Sequence, residues 1–148
     1  MIDIVILIAC ATCGYACGKF LEKRVKRKGE FYSDLNRYLS LFKLNIEGRQ
    51  IELSKFNEEF CANSSSVFRE YIQNSKIKCS VTSVQKENIN AFFNNLNCVS
   101  SRELAKHIEY YSNVFATDNK QIESEVSKSS IYVKLGILLG VMVGIVLM

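Results

Sequence analysis

Residues 131–148 read IYVKLGILLGVMVGIVLM, an apolar stretch that contains one charged side chain, Lys134. At about 1.5 Å per residue, eighteen helical residues measure about 27 Å, close to the thickness of the hydrocarbon core of a bilayer. The stretch therefore predicts a C-terminal transmembrane helix over residues 131–148. Its glycines recur at every fourth position, which places Gly136, Gly140 and Gly144 on one helix face.

The other end of the chain is also apolar. Residues 1–20 read MIDIVILIACATCGYACGKF, and basic side chains follow this stretch, whereas the positive charges of a secretory signal precede its apolar core. Residues 7–10 resemble the box before a lipid-modified cysteine, but the apolar part before Cys10 is too short and lacks a basic leader. We therefore expect an N-terminal transmembrane helix over residues 1–20.

The basic side chains lie almost directly after this first helix. Residues 19–30 hold six basic and two acidic side chains, and this excess equals the net charge of +4 of the whole chain. The basic residues are Lys19, Lys23, Arg24, Lys26, Arg27 and Lys28. A nucleic-acid footprint is the other interpretation of such a segment, but its place beside an apolar helix favours a membrane protein without a nucleic-acid partner.

The position of these charges predicts a topology. Basic loops stay in the cytoplasm, so the N-terminus would lie outside, the central domain inside and the C-terminus outside. The basic juxtamembrane segment, residues 19–30, would contact anionic lipid at the inner surface. Lys134 would extend its ammonium group to the same interface from the C-terminal helix. An impermeant thiol reagent should then leave Cys61, Cys79 and Cys98 unreacted in intact cells.

The central segment, residues 30–130, has the pattern of a helical domain. It contains no proline and only one glycine, Gly48. Apolar residues recur at helical spacing, and one such stripe consists of Leu35, Tyr38, Leu39, Phe42 and Ile46. Thr82 with Gln85 and Ser100 with Glu103 match the capping box at a helix start. The sequence predicts an all-α fold: an antiparallel bundle of about five or six helices between the two transmembrane helices. Residues 101–148 are expected to form one continuous helix.

The reactive side chains form no catalytic group. The cysteines are Cys10, Cys13, Cys17, Cys61, Cys79 and Cys98, and the first three share one face of the apolar N-terminal helix, where thiolates are costly. We interpret Cys10, Cys13 and Cys17 as small packing residues, and Cys61, Cys79 and Cys98 as buried hydrophobic side chains. His107 is the only histidine, and we assign it a packing or boundary role. No phosphate-binding loop is present, so we expect no metal, no cofactor and no enzymatic activity.

Small residues at four-residue spacing indicate how the apolar helices pack. Gly136, Gly140 and Gly144 have a counterpart in Cys10, Gly14 and Gly18 of the first helix. Small residues let helix backbones approach each other closely in lipid, where no hydrophobic force drives association. They predict that the two helices pack on each other or on a neighbouring subunit, including a second copy of the chain. The alternative is that glycine is simply common in membrane helices.

Two motifs in this layout resemble those of a known family. The closing motif YVKLGILLG, residues 132–140, leads into a run that ends with Leu147 and Met148. Upstream, Leu35 and Leu39 are followed by Ile46-Glu47-Gly48 at the end of the same predicted helix. Both motifs, and the arrangement of nearly the whole chain, resemble the stage III sporulation protein AB family of endospore-forming bacteria.

The resemblance implies a location and partners. It implies a protein of the mother-cell membrane around the forespore, within a multi-protein complex that links the two cells. In that family the cytoplasmic domain is similar to the helical domains of inner-membrane platform proteins of type II secretion and type IV pilus systems. The expected partners are the other complex subunits, including a secretion-type cytoplasmic ATPase. The expected function is a non-enzymatic platform subunit; the alternative is a generic two-span adaptor or regulatory subunit unrelated to sporulation.

Overall fold

A computed structural model describes residues 2–49, 52–96 and 101–147. All regular secondary structure in these ranges is helical, which confirms the predicted all-α class. The six α-helices are α1 (Ile2–Leu44), α2 (Leu53–Ala62), α3 (Ser66–Asn74), α4 (Ser83–Asn95), α5 (Ser101–Ser127) and α6 (Ser130–Val146), and a π-helical turn, Asn45–Arg49, follows α1.

The chain divides into two compact units. Unit 1 consists of Met1–Lys26 and Glu123–Met148, and unit 2 consists of Arg27–Ile122. Helix α1 contributes residues to both units, because it continues without a break through the basic segment. The side chains of residues 19–28 therefore occupy fixed faces of a helix rather than a loop.

The core of unit 2 is aromatic. Tyr38 of α1 is fully buried, and its ring contacts five phenylalanine rings at centroid distances between 5.2 and 5.8 Å: Phe42, Phe56, Phe60, Phe68 and Phe93. These rings come from α1, α2, α3 and α4. The apolar stripe predicted at the start of the central segment lies in α1 and forms the centre of this bundle. Its residues Leu35, Tyr38, Leu39 and Phe42 are buried.

Polar side chains fix where the short helices begin. The hydroxyl of Ser65 accepts a hydrogen bond from the backbone N–H of Phe68 at the start of α3. Thr82 and Gln85 form the predicted capping box at the start of α4, with reciprocal bonds of 3.2 and 3.1 Å. The second predicted capping box depends on Ser100, which lies outside the described residues.

One prediction about the helices is wrong. Residues 101–148 do not form one helix, because α5 ends at Ser127 and α6 begins at Ser130, with a bend of 42° between them. The backbone N–H groups of Ser129, Ile131 and Tyr132 donate to carbonyls three residues earlier instead of four. Serine competes for backbone hydrogen bonds, and three of the four residues from Ser127 to Ser130 are serine.

Candidate functional site

The surface of unit 1 is unusually apolar. Large side chains of α1 and α6 stand exposed, and the fraction of exposed surface reaches 67% for Phe20 and 83% for Val146. By length and composition, α1 can cross a membrane, and α5 with α6 passes the same test if the bent pair is taken as one span. Exposed apolar patches of this kind mark surfaces that contact lipid or another protein.

The first part of α1 and α6 meet at a row of small residues, which we call the glycine seam: Cys10, Gly14, Gly18, Gly136, Gly140 and Gly144. A Cβ atom built on Gly14 would collide with the carbonyl oxygen of Gly136, and one built on Gly136 would collide with the carbonyl oxygen of Gly14. A Cβ on Gly18 would lie 2.7 Å from the Cα of Val133. The two backbones are therefore in direct contact.

The seam also defines how the two helices align. Gly18 faces Tyr132 and Val133, whereas a Cβ on Gly144, near the other end of α6, would lie 3.2 Å from the Cα of Leu7. As residue numbers increase along α1, the residue numbers of the facing positions on α6 decrease. The two segments form an antiparallel hairpin within unit 1, and each predicted glycine on one helix lies against the other helix.

The burial of the cysteines differs from what the sequence predicted. Cys10 is half-buried, and its backbone carbonyl lies against Gly140, so this cysteine belongs to the seam. Cys13 and Cys17 are exposed, and they do not serve as packing residues within the hairpin. The expectation that Cys61 and Cys79 are buried is met only in part, because both are half-buried. Cys98 lies outside the described residues.

One acidic side chain divides the basic segment. Glu22 is only 7% exposed, and its two carboxylate oxygens accept hydrogen bonds from Lys19 at 2.9 Å and Lys26 at 2.7 Å. The bond from Lys26, and then that from Lys19, holds the pKa of the Glu22 carboxyl below its usual value. The spacing Lys19-x-x-Glu22-x-x-x-Lys26 was visible in the sequence, but the burial of the carboxylate was not.

The other basic residues are placed differently. Lys23 and Arg24 are exposed and have no ion-pair or hydrogen-bond partner among the described residues. Arg27 is exposed at the start of unit 2, whereas Lys28 is half-buried. Lys134 is exposed on α6, between Tyr132, which lies against Gly18, and the seam residue Gly136.

Among the described residues, no group of three or more histidine, cysteine, aspartate or glutamate side chains is placed to hold a metal ion. His107 packs as expected, with its ring parallel to that of Phe92 at 5.9 Å and near Tyr111 at 4.7 Å. Its buried Nε2 atom makes no hydrogen bond.

Sequence reasoning missed a groove in unit 2. It has a volume of about 540 Å³ and is lined by Arg37, Leu41, Leu44, Asn45, Phe56, Glu59, Phe60 and Asn63. The guanidinium of Arg37 lies 4.8 Å from the centre of the Phe60 ring and 3.2 Å from the carboxylate of Asp34. The exposed Leu41 and Leu44, which lie off the buried stripe of α1, were the sequence signal for this groove.

The chain matches no protein-family model, no curated protein and no solved structure.

Proposed function

We propose that this chain is a non-catalytic membrane subunit, in which the hairpin of unit 1 lies in a bilayer and unit 2 presents a helical domain to partners. The observation that carries the proposal is the glycine seam under an exposed apolar surface. In water that surface would favour burial, but in lipid it needs no further cover. Backbone contact through glycines is a packing mode suited to helices that have no hydrophobic drive to associate.

The first test is extraction. An integral hairpin stays with the membrane fraction after alkaline carbonate treatment and is released by detergent. If carbonate alone releases the full-length protein from membranes, the proposed insertion is wrong.

Topology is a separate part of the proposal. From the basic residues after the first span, we infer that unit 2 lies in the cytoplasm and that both termini lie outside. A cysteine introduced at Ser54, which is exposed on α2, reports this better than the half-buried Cys61 and Cys79. We predict that an impermeant maleimide adds no label to the Ser54→Cys variant in intact cells, relative to the unaltered chain.

The matched control is the same variant in permeabilised cells, where the added label should appear. Labelling of the added cysteine in intact cells would mean that unit 2 lies outside, which contradicts the orientation.

A finer form of the proposal rests on the family resemblance. In this form the chain is a platform subunit of the sporulation complex between mother cell and forespore, and unit 2 docks a secretion-type ATPase. The resemblance of residues 132–140 and of the Leu35–Leu39 pattern supports it. Cross-linking of unit 2 in sporulating cells should recover the ATPase and other complex subunits as neighbours.

The second candidate is a two-span adaptor or regulatory subunit unrelated to sporulation. The same hairpin and helical domain serve such a protein equally well. Recovery of a constant set of neighbours in growing cells, without secretion-type proteins in sporulating ones, would favour this candidate.

A further inference from the structure

The buried carboxylate of Glu22 separates the basic residues of α1 into two groups. Lys19 and Lys26 each bond to one of its oxygens, at 2.9 and 2.7 Å. Together the three side chains carry one net positive charge, which is shared around a carboxylate that solvent hardly reaches. The carboxylate therefore compensates half of the positive charge that Lys19 and Lys26 carry.

The seam shows which way this cluster faces. Glu22 follows Gly14 and Gly18 at four-residue steps, so it lies on the side of α1 that faces α6. Gly18 is opposite Tyr132, and one further turn along the antiparallel pair brings Glu22 beside the break between α5 and α6. Ser129 in that break is itself only 2% exposed.

Lys23 and Arg24 project away from the side of α1 that carries Glu22. With about 100° per residue, Lys19 and Lys26 lie within about 60° of Glu22, whereas Arg24 lies on the opposite side of the helix. Phe20 points within about 40° of Arg24 by the same geometry, and its side chain is 67% exposed. Phe20, Lys23 and Arg24 form what we call the outer face of α1, an aromatic ring followed within one turn by two uncompensated cations.

This outer face lies level with the start of α6. Gly18 of α1 and Tyr132 of α6 are in contact, so Phe20 and Tyr132, both exposed aromatic residues, lie near the same end of the hairpin. Aromatic side chains favour the headgroup level of a bilayer, and cations just beyond them reach the lipid phosphates. The guanidinium of Arg24 can bind a phosphate through two parallel hydrogen bonds.

We propose that Lys23 and Arg24 bind the headgroups of anionic phospholipids, while Lys19 and Lys26 serve to neutralise Glu22 within the hairpin. This inference rests on the proposed membrane insertion of unit 1. It assigns lipid selectivity to exposed cations that face away from Glu22 rather than to the net charge of the segment.

The experiment uses the full-length protein reconstituted in phosphatidylcholine bilayers. Spin-labelled phosphatidylglycerol or spin-labelled phosphatidylcholine is added, and the fraction of motionally restricted label gives the relative association constant of each lipid. The unaltered protein should prefer phosphatidylglycerol, and the preference should fall at high salt. At about fivefold per basic residue near the surface, the variant Lys23→Gln/Arg24→Gln should lower that preference about 25-fold.

The matched control is Lys19→Gln/Lys26→Gln, which changes the net charge by the same amount. It should keep the preference within about twofold, and helical circular dichroism shows whether it folds. If that control does not fold, Glu22→Gln supplies the same information, because it releases two lysines and should raise the preference. The charge-preserving variant Lys23→Arg/Arg24→Lys should behave like the unaltered protein.

Three results would overturn the proposal. Equal losses in the two double variants would mean that only net charge matters. Equal association of both labelled lipids with the unaltered protein would exclude the headgroup contact, even if carbonate extraction had shown that the hairpin is inserted. Binding of an RNA oligonucleotide that is abolished by Lys23→Gln/Arg24→Gln, without any lipid preference, would assign the outer face to nucleic acid.

Discussion

At the scale of single residues, three tyrosine hydroxyls show how the aromatic core of unit 2 accommodates polar atoms. Tyr38 donates to Asn57 at 2.7 Å, and Tyr71 donates to Asn90 at 3.2 Å. Tyr32 lies 3.4 Å from the carboxylate of Asp118. Burial raises the pKa of each phenol, and that of Tyr71 reaches about 12. All three hydroxyls therefore stay protonated and act as hydrogen-bond donors throughout the physiological range.

Tyr38 is the residue on which unit 2 should depend most. Tyr38→Ala removes a buried ring and five ring contacts, and we expect it to lower the free energy of unfolding by about 3–5 kcal/mol. Tyr38→Phe keeps the ring and removes only the bond to Asn57, at a cost of about 0.5–1.5 kcal/mol. Chemical denaturation of the detergent-solubilised protein measures both.

Tyr110→Ala is the matched control for Tyr38→Ala. Tyr110 is 64% exposed on α5, so its truncation should change stability by no more than about 0.5 kcal/mol. Similar losses for the two alanine variants would show that Tyr38 is not the centre of the core.

The thiol of Cys79 gives a prediction that depends on pH. Burial raises its pKa to about 11, so little thiolate is present near neutrality. At pH 8, the alkylation rate of Cys79 in the folded protein should be about 100-fold lower than that of a thiol with an ordinary pKa. Because the pKa is raised, the rate should climb about tenfold per pH unit and level off only near pH 11. Mass spectrometry of iodoacetamide adducts measures this rate.

The denatured protein is the control, in which Cys79 should react at the ordinary rate. A fast reaction in the folded state at pH 8 would show that the thiol is not buried. Slow alkylation would also mean that an unreacted Cys79 in intact cells says little about topology.

At the scale of secondary-structure elements, the hairpin depends on the absence of side chains at the glycines where α1 and α6 are in contact. An added Cβ on Gly140 would meet the backbone of Cys10 and Ala11, and backbone atoms cannot rotate away as a side chain would. Gly48 offers a contrast, because an added Cβ there would meet nothing within 4 Å. The glycines of the seam are needed for the close approach of two helices, not for an unusual backbone angle.

Gly140→Leu should separate the two helices of unit 1. Overpacking of this kind costs about 1–3 kcal/mol. The distance between spin labels on Cys13 and on a cysteine introduced at Leu138 should lengthen and its distribution broaden in the reconstituted protein, while the circular dichroism of the helices is retained.

The control for Gly140→Leu is Leu139→Ile, the exposed neighbour on the same helix, which should leave the distance unchanged. An unchanged distance in Gly140→Leu itself would mean that the glycines are merely permitted in α6 and do not hold the pair together.

At the scale of the whole molecule, the sequence predicted helices, caps and the buried stripe of α1 because these follow from local spacing. It predicted small-residue packing but did not identify the partner helix, because the local sequence does not determine whether Gly136 faces Gly14 or another subunit. The break at Lys128 and Ser129 was missed because serines weaken a helix without stopping it as proline does. The groove beside Leu41 and the burial of Glu22 depend on contacts that only the folded chain creates.

The alignment of the hairpin has a consequence for the kind of bilayer that suits it. Between Asp3 and Lys19 lie fifteen residues without charge. In a hairpin inserted as proposed, this run measures about 22 Å, below the typical hydrocarbon thickness of about 30 Å. Such hydrophobic mismatch is met by local thinning of the bilayer or by lysines that stretch outward, each at a fraction of a kcal/mol per Å. A short hairpin of this kind should therefore partition toward the thinner regions of a membrane.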